Sequence, residues 1–106
     1  MIRIIRCEQH HAGTLTRIAF AAKRYWDYPE DYIEMWRSDL TLTPGWISTN
    51  LVYAAEVRHK IAGFYAVSEE DGVFELEHMW VDPEYIGRGI GKSLFSHAEL
   101  IIRKME

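Results

Sequence analysis

The chain has 106 residues, a net charge of -4, a single cysteine and a 48% apolar share, which reads as one soluble domain over residues 1–106. The mild negative charge excludes long-range attraction to nucleic acid and slightly favours a small cationic partner. Cys7 alone cannot form an internal disulfide and suits a reducing cytoplasm, and no apolar run is long enough for a membrane span or shaped like a signal peptide.

Ile2 to Arg6 alternates as a first strand does. From Gln9 to Trp26 the apolar positions Ala12, Leu15, Ile18, Ala19, Ala22, Tyr25 and Trp26 recur at threes and fours, which predicts a helix with one buried face. WDYPEDY interrupts it. Pro29 suits a first helical position, and Asp27, Glu30 and Asp31 suit the positive end of a helix. A second helix is expected to run to about Leu40, burying Tyr32, Met35, Trp36 and Leu40. Thr41 to Asn50 holds Pro44 and Gly45 and reads as loop.

LVYAAEV and IAGFYAV, separated by RHK, predict a hairpin, with Gly63 marking a bulge or a close backbone approach. SEEDG supplies a turn in which Gly72 suits a positive φ. VFELEHMWV is the last strand, ended by Asp82 and Pro83. A third helix runs from about Gly89 to Met105 on a stripe of Ile90, Leu94, Ala98, Ile101 and Met105, with Phe95 and Ile102 beside it. The predicted order is βααβββα, an α/β protein of the α+β type: a mostly antiparallel sheet with helices on its faces.

The segment GRGIGKS, Gly87 to Ser93, joins the last strand to the last helix and has the make-up of a phosphate loop. A P-loop would need glycine where Ile86 stands, on a strand free of Glu75, Glu77 and His78. A dinucleotide fingerprint would need glycine where Lys92 stands, and an acidic residue past the end of the sequence.

The stretch VDPEYIGRGIGKSLF resembles the acetyl-CoA-binding segment of the GNAT superfamily of N-acetyltransferases. That pattern, Gln/Arg-x-x-Gly-x-Gly/Ala after a strand ending Val-x-Pro, falls on Gly89 and Gly91, with Val81 and Pro83 before it. Ile86 takes the Gln/Arg position, a departure that matters little where backbone N–H groups make the grip. The element order matches the first two thirds of such a domain; the usual C-terminal strand–helix–strand portion is lacking.

The resemblance implies transfer of an acetyl group from acetyl-CoA to a primary amine of a small molecule or peptide by direct attack. It implies cofactor contacts from Met79, Trp80 and Val81 on the strand edge and from Ile86, Gly87, Arg88, Gly89, Ile90, Gly91 and Lys92 in the loop. It also places the base on the last strand, at Glu77 or Glu75, with Glu77 favoured because it lies nearer the strand's open end. Strict alternation puts Glu75, Glu77, Met79 and Val81 on one face and Leu76, His78 and Trp80 on the other. His78 is expected to pack against a helix. Tyr28 is the expected acceptor contact, in the region that walls the acceptor cleft in the family.

No residue is assigned as the acid for the leaving thiolate. Cys7, His10 and His11 lack metal-site spacing, so no metal is expected. An unpaired edge on the last strand predicts self-association or completion by another chain, unless the sequence is a piece of a longer protein. A non-catalytic CoA-binding or interaction module is the alternative function.

Overall fold

A computed structural model describes residues 1–105. Strand β1 (Ile2–Arg6) leads through a single 3-10 turn at Gln9–His11 into helix α1 (Ala12–Tyr25). Three short helices follow, α2 (Glu30–Met35), α3 (Arg37–Leu40) and α4 (Pro44–Thr49). Strands β2 (Leu51–Val57), β3 (Lys60–Glu70) and β4 (Val73–Val81) come next. A 3-10 turn at Pro83–Tyr85 then leads to helix α5 (Ile90–Met105). The sheet is antiparallel throughout, in the order β1-β2-β3-β4, so the outer edge of β4 has no strand partner among the described residues.

The two faces of the sheet bury separate cores. On one, Leu15, Ile18, Ile33, Leu40 and Ile47 from α1–α4 close on Val52, Ala54, Phe64 and Ala66. On the other, Ile90, Leu94 and Ala98 of α5 close on Ala55, Tyr65 and Val67. Each large aliphatic side chain buried this way contributes about 1.5–3 kcal/mol, which is what holds such short helices in place.

Several expectations need correction. The second helix breaks at Trp36, and its inner face is Ile33, Trp36 and Leu40; Tyr32 and Met35 are exposed. Tyr25 and Trp26 are also exposed, because α1 ends where the chain turns through Asp27 at φ 62°. Residues 41–50 are not mostly loop. The Thr43 side chain accepts a hydrogen bond from the Trp46 N–H, Pro44 fills a first-turn position, and Ile47 buries the helix that results. The order is therefore βααααβββα. Phe95 and Met105 lie on the half-exposed side of α5.

The β2–β3 hairpin turns on Arg58 and His59, both at positive φ, with Lys60 already in the strand. Gly63 meets both expectations. It sits beside the bulge in the β2–β3 pairing, and a Cβ there would lie 2.8 Å from the Trp80 carbonyl oxygen and 3.0 Å from Ile90 Cγ2. Only glycine lets β3 come so close to the end of β4 and the start of α5.

A second bulge lies where the site begins. Ala66 pairs with His78 and Val67 with Leu76, which leaves Glu77 as the extra residue on β4. Alternation fails across it. Phe64, Ala66 and Ser68 share one face of β3 and stand opposite Trp80, His78 and Glu75. Glu75 thus lies on the face of His78 and Trp80, toward α1–α4, and not with Met79 and Val81. Glu77 is on that face too, since its carboxylate accepts a 2.6 Å hydrogen bond from the Ser68 hydroxyl.

Candidate functional site

The loop's shape follows from its glycines. Gly87 and Gly89 have φ of 85° and 78°, a region closed in practice to branched side chains. Nothing lies within 4 Å of where their Cβ atoms would be, so the backbone faces open space and not a neighbour. The N–H groups of Gly87 and Gly89 donate to no acceptor among the described residues, and the Gly89 carbonyl accepts the first bond of α5 from Ser93. Behind them come the free N–H groups of the helix's first turn. Such a corner fits an anion approached by main chain.

Gly91 differs: its φ is ordinary, and a Cβ there would meet Val81 Cγ2 at 3.7 Å. Ile90 is buried in the core between α5 and the sheet. Arg88 and Lys92 are exposed; the Arg88 guanidinium lies 5.3 Å from the Tyr85 ring centre.

Asp82 anchors the corner, and the sequence reading did not assign it a role there. It is the buried charged residue of the described core. One carboxylate oxygen accepts from the Glu84 N–H at 3.1 Å, the other from the Arg17 guanidinium at 3.3 Å, and its own N–H donates to Ala62 at 2.8 Å. The cap fixes the turn that aims the glycine loop. An Asp-Pro pair closing a strand is the sequence signal for such a cap.

Beside the loop, a cleft of about 390 Å³ is lined by Ala22, Tyr25 and Trp26 from the end of α1 and by Met79, Trp80, Val81 and Ile86. The structure thus brings the predicted strand-edge residues and Ile86 to one wall. Glu75, Glu77 and Tyr28 do not line this cleft. Both glutamates are exposed on β4, and Tyr28 stands in the turn after α1, edge-on to Trp36 at 5.0 Å. A larger cavity, about 780 Å³, lies between Arg6, Asn50, Phe74 and Met105 and holds none of the predicted residues.

His78 packs as expected, its ring 5.7 Å from Trp46 of α4 and 6.0 Å from Phe64, and its Nδ1 accepts the Trp80 indole N–H at 3.0 Å. On the α5 side, His97 Nδ1 meets the buried Tyr65 hydroxyl at 2.8 Å. Burial pushes both imidazoles below the ordinary histidine range; Glu77 and Asp39 oppose the shift at His78 and Lys104 adds to it at His97. As pH falls below about 6.5, the unfolded chain therefore takes up these protons before the folded one, and stability drops. The thermal midpoint should fall between about pH 7 and 5.5, and His78→Gln with His97→Gln should flatten that slope.

Burial also raises the Cys7 thiol to about 12, so it is a packed side chain and not a nucleophile at neutral pH. Among the described residues no three His, Cys, Asp or Glu side chains gather as a metal-binding set, and no helix is long and apolar enough to cross a membrane.

Residues 48–106 match the family model described as an acetyltransferase (GNAT) domain. Among solved structures, the chain is similar to PaiA N-acetyltransferase from Thermoplasma acidophilum in complex with coenzyme A, at 25% identity and a TM-score of 0.83, covering 98% of this chain and 73% of that one. It is also similar in fold to a GNAT family acetyltransferase from Brucella melitensis in complex with acetyl-CoA, at 23% identity, 98% and 70% coverage and a TM-score of 0.70. A third is the ribosomal-protein-S18-alanine N-acetyltransferase from Escherichia coli, at 20% identity, 98% and 61% coverage and a TM-score of 0.72. No curated protein matches the sequence. The matched segment holds β4, the glycine loop and α5, the parts that form the anion corner, and the chain belongs to the GNAT family of acetyltransferases.

Proposed function

We propose that this chain binds acetyl-CoA and supports transfer of its acetyl group to a primary amine of a small molecule or peptide. The observation that carries this is the corner where the free N–H groups of Gly87 and Gly89 meet the N-terminus of α5, next to a strand edge unpaired among the described residues. Main-chain donors from Gly87 to Lys92 would hold the diphosphate, helped by the charges of Arg88 and Lys92. The free edge at Met79–Val81 would pair with the amide-bearing arm of the cofactor as a strand does, and one of its N–H groups would face the carbonyl oxygen under attack. Bound acetyl-CoA supplies the activated acyl carbon.

The acceptor must lose a proton. For an amine of pKa about 10.4, being neutral at pH 7 costs about 4.6 kcal/mol. Glu77, with Glu75 as its alternative, is the proposed proton acceptor, directly or through one water. Tyr28 would contact the acceptor from the α1–α2 side.

Release of free thiol from acetyl-CoA, followed across a panel of primary amines, tests this reading. Amine-dependent release with the matching N-acetyl product is the expected result. Binding of acetyl-CoA with no release for any amine would favour a non-catalytic CoA-binding module.

A further inference from the structure

Lys23, near the end of α1, is half-buried and takes part in none of the ion pairs among the described residues, whereas Arg24 and Arg37 nearby are paired with Glu30 and Glu34. Its ammonium is surrounded by aromatic rings. Nζ lies 4.2 Å from the ring centre of Trp36, 4.8 Å from that of Tyr28 and 5.9 Å from that of Trp80. A lysine at a protein surface normally extends its charge into water. Here it points into rings delivered by three separate segments: the turn before α2, the break between α2 and α3, and the edge of β4. Helical spacing cannot assemble that; the tertiary fold does.

The rings are held. Tyr28 and Trp36 meet edge to face at 87°, and the Trp80 indole N–H is tied to His78. Trp80 also lines the cleft beside Met79 and Val81, so the cage borders the proposed acetyl site. Aromatic faces around one cation recognise ammonium by its charge and ignore a neutral or anionic group.

We propose that Tyr28, Trp36 and Trp80 form an ammonium-binding cage that admits the acceptor in its charged form before its proton passes to the base on β4, that Lys23 fills it in the free chain, and that an unbranched alkylammonium displaces Lys23 to enter. The occupant seen defines the fit: four methylenes ending in an ammonium. The cage as acceptor site rests on the amine-acetylation reading; its ligand binding does not require turnover.

The test is titration of the whole chain with n-butylammonium, followed by the indole N–H resonances of the tryptophans. In Lys23→Ala, which removes the internal competitor, half-saturation should come at a concentration roughly tenfold lower than in the wild type. Adding Tyr28→Leu to that variant should cost about tenfold again. Tyr28 is exposed, so this change leaves the core alone; Trp36→Leu, confirmed as folded by its thermal midpoint, gives the second check. Equal half-saturation in wild type and Lys23→Ala, or no loss from either aromatic change, overturns the proposal. Nα-acetyl-lysine methylamide saturating Lys23→Ala as well as n-butylammonium does assigns the cage to peptide lysines; saturation by n-butylammonium alone assigns it to free amines, and either supports it. Saturation without thiol release keeps the cage and removes the acetyl-transfer reading. Thiol release with amines of any charge, and no saturation, keeps that reading and removes the cage.

Discussion

Glu77→Gln is expected to lower turnover by about 10²–10⁴-fold at pH 7, the usual worth of a positioned base. The substitution keeps shape and removes only the proton acceptor. The register slip makes Glu77 the one residue of β4 that is turned out of the ladder, and the Ser68 hydroxyl holds its carboxylate at 2.6 Å. A bulge of this kind re-aims a side chain at a point where the strand is about to be used. It also places Glu77 close enough to act on His78, the partner of Trp80.

The same variant should recover as pH rises toward the amine's own pKa, because the acceptor then arrives already deprotonated. Wild type should be much less sensitive over that range. If Glu75→Gln shows the loss and Glu77→Gln does not, the base is Glu75, which lies on the same face opposite Ser68. If neither changes turnover or its pH profile, the strand carries no base.

Gly89→Val should lower acetyl-CoA affinity by about a hundredfold or more, read by calorimetry. Two effects add. The backbone at φ 78° costs an L-residue roughly 1–2 kcal/mol. The branched side chain would also fill the open space that the diphosphate needs, removing hydrogen bonds to a charged group worth about 1.5–3 kcal/mol each. Since no protein atom lies within 4 Å of the new Cβ position, the fold itself should survive, and the thermal midpoint should move far less than the affinity.

Gly91→Ala is the contrast. Its backbone is helical and its Cβ would make an ordinary 3.7 Å contact with Val81, so the change should stabilise α5 by about 0.5–1 kcal/mol. Alternating glycines look alike in the sequence, yet two serve conformation and approach and the third stands in ordinary helix with room for a methyl group.

How much could be read from residues alone depended on whether the signal was local. The strands announced themselves by β-branched and aromatic runs, α1 and α5 by apolar spacing, and the glycine loop by its place between strand and helix. Residues 41–50 misled because proline and glycine usually break structure; at Pro44 they follow a capping Thr43, which makes them a start. Tyr25, Trp26, Tyr32 and Met35 were expected inside on hydrophobicity, but α1 ends at the first two where the chain turns at Asp27, and the short helices after it bury a single narrow line of Ile33, Trp36 and Leu40.

The face of Glu75 and Glu77 was set by a register slip between β3 and β4, and no periodicity within β4 reports its partner's spacing. The cage had no local signal either. Lys23, Tyr28, Trp36 and Trp80 come from four parts of the chain, and only packing joins them. Asp82 was legible as a strand end, while its bond to Arg17, 65 residues away, was not.

A crystal structure of the chain with acetyl-CoA tests the central claim most directly. The diphosphate is expected at the start of α5, its oxygens within about 2.7–3.2 Å of main-chain N–H groups between Gly87 and Lys92. A diphosphate held elsewhere, or gripped by side chains with those N–H groups left unused, would contradict it.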